Sequence, residues 1–237
     1  MPLSIRRDSA LFEQIRRILK GIREAPELQP SNPIYGADFR VQMISDAVCV
    51  SAKCSASGLG TLCISLTELS LKLLHQGYFT RGAVAKGLLY HDDQIAFGDA
   101  LIRAYNIEQT VALYPRIVLT REVVSDIREF QKLPFTSSFE NLLRQSADGA
   151  YHLDILGQEL HAITILEDQR ERNASDLNKT TTILQEKLDE AVDNPRHFEK
   201  VQWFARYWND VFRHCRDIEK VWGPGVLPIT AFLPASK

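Results

Sequence analysis

The chain has 237 residues, 45% of them apolar and 24% charged, the proportions of an ordinary globular protein with room for one large domain or a core plus a helical extension. A formal net charge of −2 supplies no sequence-wide basic field, so nucleic acid and anionic membrane are not expected as partners. The opening residues, Met1 to Ser9, carry no apolar run of signal-peptide length and no stretch approaches a bilayer span, so a cytoplasmic location is expected.

Leu11, Ile15, Ile18, Leu19 and Ile22 recur at helical spacing, which predicts an amphipathic helix over 8–24 with Asp8 as its N-cap. Residues 25–37 read as a loop punctuated by Pro and Gly. Phe39, Val41 and Met43 then alternate as a strand. Val48 and Val50 alternate after Ser45-Asp46, so a β-hairpin with Asp46 at its bend is predicted. Leu59, Leu62, Cys63, Leu66, Leu69, Leu73 and Leu74 predict a long helix closing at Gly77. A strand is predicted over 79–90, a helix over 98–110 and a strand over 115–120.

The second half is less regular. Residues 151–156 are a possible strand, and 178–192 and 195–220 predict helices. In the last of these, Phe198, Val201, Phe204, Trp208, Val211, Phe212 and Cys215 mark an apolar stripe. The tail after Trp222 holds Gly-Pro-Gly and two further prolines and is expected to be extended. No internal repeat or low-complexity tract occurs. Cys49, Cys54, Cys63 and Cys215 match no paired zinc-ligand spacing and are expected to be reduced, buried small hydrophobes. His91-Asp92-Asp93 are contiguous, so a strand would send neighbours to opposite faces. A turn explains them better than a ligand set.

Two segments taken together resemble a known family. FRVQMISDAVCVSA (Phe39 to Ala52) and TRGAVAKGLLYHDDQIAFGDALIRAYNIEQTVALYPRIVL (Thr80 to Leu119) are similar to the catalytic half of a class III nucleotidyl cyclase. The nearer resemblance is to the bacterial uridylate and cytidylate cyclases of anti-phage defence. The order helix, hairpin, helix, strand, turn, helix, strand fits an α+β sheet with helices on one face. The resemblance implies a ferredoxin-like core over 1–125 and a mainly helical extension over 126–237, packed on the core. It also implies a homodimer with shared active sites, UTP or CTP as substrate, Mn²⁺ or Mg²⁺ as cofactor, and a separate effector protein that answers the cyclic product.

A cyclase turns the ribose 3′-oxygen onto its own α-phosphate and expels pyrophosphate, which calls for two divalent cations and groups that neutralise phosphate charge. By resemblance Asp46 is the carboxylate at the hairpin bend and the metal ligand. Its partner would stand on an opening central strand ahead of the first helix. Met1 falls too late for that strand, so an upstream start or a missing metal ligand is expected.

Purine cyclases read the base with polar residues at positions matching Met43 and Ile95; here both are apolar, with Gln42 and Gln94 beside them. That disfavours ATP and GTP and leaves room for a pyrimidine read by backbone groups or Gln94, UTP ahead of CTP. Met43, Ile44, Ser45, Gln94, Ile95 and Arg103 form the expected nucleotide-contacting set.

The family's helical Asn and Arg, one turn apart, match Ile102 and Asn106, so only Asn106 stays polar. Arg103, next to Ile102 in sequence, points about 100° away from it on an ideal helix. The transition-state cation is therefore expected from Arg81 or Arg116, with Asn106 beside it. The absent helical Arg and opening Asp support a rival reading: a cyclase-like fold that binds a nucleotide or a partner without catalysis. A purely structural dimerisation domain is a third.

Overall fold

Alternation does its expected work at Arg40–Ile44 (β1) and Ala47–Ser51 (β2), which pair antiparallel from Arg40↔Ser51 to Ile44↔Ala47. The computed structural model describes residues 39–44, 47–130, 142–157 and 170–214, with Arg17 and Lys20. Arg17 and Lys20 are helical, within the helix predicted over 8–24. The rest of that helix, the loop 25–37 and the tail after Trp222 lie outside the described residues.

Helix α1, Ala56–Leu74, begins before the first residue of the apolar pattern because Ser55 caps it. The Ser55 hydroxyl accepts from the Gly58 N–H at 3.1 Å. Leu62, Cys63, Leu69, Leu73 and Leu74 are buried along its length. The expectation that no stretch approaches a bilayer span needs correction here. α1 is long and apolar enough to cross one, although more than half of it is buried inside the fold.

The strand predicted over 79–90 is instead two short ones, Gly82–Val84 (β3) and Tyr90–His91 (β4). The break is where the next helix docks: the Ala100 N–H donates to the Leu88 carbonyl at 3.2 Å, and Gly87 lies close against the Ala100 backbone. β4 pairs with Ala96–Phe97 (β5) in an antiparallel ribbon. Gly98 then adopts φ 141°, where a Cβ would meet the Leu88 carbonyl oxygen at 2.5 Å. Only glycine fits. Helix α2, Asp99–Thr110, follows within one residue of its predicted start.

Ile117–Leu119 (β6) is buried throughout, as a continuous apolar run covered on both faces should be. It pairs parallel to β3 and antiparallel to Tyr151–Leu153 (β8), and β8 pairs with Leu143–Gln145 (β7). The order is β3-β6-β8-β7. Helix α3, Arg121–Phe130, and strand β7 were not foreseen. α3 buries only Val123, Val124 and Ile127 in a charged stretch, and β7 (Leu-Arg-Gln) has no apolar alternation to betray it.

Helix α4, Arg170–Glu190, starts earlier than the predicted 178. Helix α5, Pro195–His214, is the described part of the one predicted over 195–220. Asn194 caps it, its carbonyl accepting from Phe198 at 2.8 Å, and Pro195 occupies the first turn, where no N–H is needed. The molecule is thus mixed α+β. Phe39, Leu74, Leu119, Ile127, Leu153, Leu184 and Trp208 belong to one hydrophobic cluster, so the core crosses the boundary expected at 125/126. Among the described residues the β1–β2 hairpin, the β4–β5 ribbon and the four-stranded sheet share no strand pairing.

Candidate functional site

Polar side chains, rather than a shared sheet, join the hairpin to the ribbon. Gln42 Nε2 donates to the Gln94 carbonyl at 2.6 Å, and Ser51 Oγ lies 2.7 Å from His91 Nδ1. Asp92 organises the turn between β4 and β5: its Oδ1 accepts from the Gln94 N–H at 2.8 Å and the Ile95 N–H at 2.7 Å. The Tyr90 hydroxyl donates to its other oxygen at 2.8 Å. Those donors, the Gln94 N–H first, hold the Asp92 carboxyl below its ordinary range. His91 thus ends β4 and is tied to the hairpin through Ser51, while Asp92 and Asp93 enter the turn that follows. Burial first, then Arg40, lowers the His91 imidazole against the opposing pull of Asp92 and Asp93.

This junction brings together the two places expected to surround a base, but through Gln42 rather than Met43. Strand alternation puts Met43 on the face of Val41, Val48 and Val50, three residues packed against the core. Gln42 faces the other way. Ile95 is 52% exposed and Gln94 is also exposed, so both are accessible. Ser45, Asp46 and the Ile44 side chain lie outside the described residues. The register pairs Ile44 with Ala47, which flank Ser45-Asp46 in sequence.

On α2, Ile102 and Asn106 are exposed one turn apart, with Tyr105 beside them. Arg103, expected among the nucleotide-contacting residues, is engaged by protein groups: its Nη1 donates to the Lys86 carbonyl at 2.9 Å and its Nη2 to Glu122 at 2.7 Å. Glu122 is pushed down to about 2, by its own backbone N–H first and then by Arg103 and Thr120. Arg81 forms an ion pair with Glu108 of α2. Arg116 is enclosed. Its side chain is 1% exposed, grips Asp148 with both terminal nitrogens, and lies over the rings of Tyr114 and Trp203. Both candidate cations are thus engaged by carboxylates, and Arg116 is buried as well. Nothing in the local sequence names Glu108, Asp148 or Trp203 as partners; the parity of β1 does point to Gln42.

Among the described residues no three His, Cys, Asp or Glu side chains are placed to hold a metal ion. Among those residues a donor set for two divalent cations is therefore not assembled, and Asp46 lies outside them. Cys63 is buried, and burial pushes its thiol up to about 12. Cys49 is half-buried with its thiol raised by burial, Cys54 is exposed contrary to expectation, and Cys215 lies outside the described residues. No protein-family model matches the chain, and neither a curated protein nor a solved structure does.

Proposed function

We propose that this chain is a pyrimidine nucleotide cyclase, converting UTP or CTP to the 3′,5′-cyclic monophosphate and pyrophosphate as a messenger in anti-phage defence. The observation that carries the reading is the docking of the hairpin on the ribbon turn through Gln42 and Gln94. It joins the two segments whose resemblance places them around a base, one of them leading in sequence to Ser45-Asp46.

In this reading Asp46 would hold Mn²⁺ or Mg²⁺, and the cation would supply charge for the triphosphate. Arg81 is the better candidate for the transition-state cation, because its side chain is 36% exposed while Arg116 is enclosed. It must exchange Glu108 for phosphate to act. Two copies related by a two-fold axis would complete two sites at once. The product would act through a separate effector protein.

The experiment is purified protein with Mn²⁺ and each of the four nucleoside triphosphates, the products separated by mass. Cyclic UMP should exceed cyclic CMP, and both should lie well above the purine products. Asp46→Asn keeps the turn preference and removes the charge a cation needs, so activity should vanish while the circular dichroism spectrum persists. Full turnover by that variant takes Asp46 out of the site.

A second reading, nucleotide or partner binding without catalysis, draws on the pairing of both candidate cations with carboxylates. It expects nucleotide binding with no cyclic product.

A further inference from the structure

We infer that Gln42 is the side chain that reads the base, by accepting an N–H from a pyrimidine edge; this rests on the cyclase reading above. The alternation of β1 turns Gln42 away from the core-facing row of Val41, Val48 and Val50 and toward the ribbon. Its amide is anchored: Nε2 donates to the Gln94 carbonyl, which identifies the other end as the acceptor. That acceptor, Oε1, is enclosed and has no hydrogen-bond partner, and His91 Nε2 at the neighbouring attachment is in the same condition. Enclosed polar atoms are nearly always paired in folded proteins, because desolvating one without a partner is unfavourable. Two at one junction are groups that a ligand's polar edge can pair.

The junction is able to part. Among the described residues the ribbon shares no sheet with the hairpin and is attached to it by side-chain bonds, Gln42 to Gln94 and Ser51 to His91. Such bonds exchange for ligand bonds without breaking a strand ladder. A planar base entering there brings an N–H to Oε1 and presents an adjacent ring acceptor to Nε2 in place of the Gln94 carbonyl. Uracil offers that pair at N3–H and its 4-oxygen; cytosine offers it at the exocyclic amine and N3. Ile95 and Phe97, 52% and 59% exposed, supply apolar surface on the ribbon.

The test uses 3′-deoxy-UTP, which binds as a substrate would but has no hydroxyl to cyclise, with inorganic tripolyphosphate as the probe for the phosphate end. Gln42→Met keeps the side-chain length and removes both polar ends. Affinity for 3′-deoxy-UTP in Mn²⁺ should fall about tenfold, and affinity for tripolyphosphate should not change. Should Gln42→Met fail to fold, the wild-type Gln42 side-chain amide resonance serves instead, shifting with 3′-deoxy-UTP and not with tripolyphosphate. An unchanged 3′-deoxy-UTP affinity, an equal loss for tripolyphosphate, or an amide resonance that ignores the nucleotide overturns the assignment. If the wild type binds and cyclises UTP in those cases, only the base-reader fails. If the wild type binds no nucleotide, the cyclase reading falls with it.

Discussion

Two regions of the molecule place their large apolar residues in opposite ways. Around the ribbon and α2, Leu88, Tyr90, Phe97, Ile102 and Tyr105 all face solvent, and α2 buries only Ala100. In the region built from β6, β8, α4 and α5, Leu153, Leu177, Leu184, Phe204 and Trp208 are almost wholly enclosed. The first region is held to the hairpin by single polar bonds and the second by a continuous cluster. Burial of apolar area is what stabilises a fold, whereas exposed apolar groups and exchangeable hydrogen bonds are what a ligand or partner can use. The fold's stability should therefore reside in one region and its chemistry in the other.

The largest expected effect tests the buried side. Trp208→Ala should destabilise the protein by about 3–5 kcal/mol, read as a lowered urea midpoint. A loss below about 1 kcal/mol would mean that the cluster is not where the stability lies.

An intermediate effect tests the rim of that cluster. Asp148 is 46% exposed, yet it is the carboxylate partner of the enclosed Arg116 guanidinium. Asp148→Asn should cost about 1–2 kcal/mol, more than an ordinary surface change, because it leaves a buried cation poorly paired. Solvent screening at Asp148 keeps the figure at the low end. The hydrogen bond from Arg116 is the main cause holding the Asp148 carboxyl below its ordinary range. The contribution is thus present above the unfolded value near 3.9 and disappears as pH falls through the lower folded value. Wild type and variant should differ in stability at pH 7 and converge in strong acid. A gap that widens on acidification would reverse the sign and remove the pair as its source.

The smallest effect is expected on the exposed side. Ile102→Ala, on the outer face of α2, should change stability by no more than about 0.5 kcal/mol. A cost comparable with that of Trp208→Ala would show that this face is covered in solution and would abolish the contrast between the two regions.

Much of the architecture was legible because its signals are local. Alternation and the short bend between apolar pairs announced the hairpin, the leucine spacing announced α1, and the Phe-Gly start announced α2. A strand was also legible over 115–120, though not its burial on both faces. α3 and β7 escaped because their few buried residues sit in polar stretches, and the strand over 79–90 was overextended because the docking of Ala100 on Leu88 cannot be read from either residue.

The candidate site divides in the same way. Local periodicity carries the turn at Asp92, the opposite facing of Met43 and Gln42, and the divergence of Arg103 from Ile102, since each follows from the period of a strand, a helix or a turn. Which cations remain accessible depends instead on long-range packing. Arg116 meets Asp148 across 32 positions, and Arg144 meets Asp210 across 66. An ion pair between distant residues depends on where the chain returns, and no local pattern encodes that.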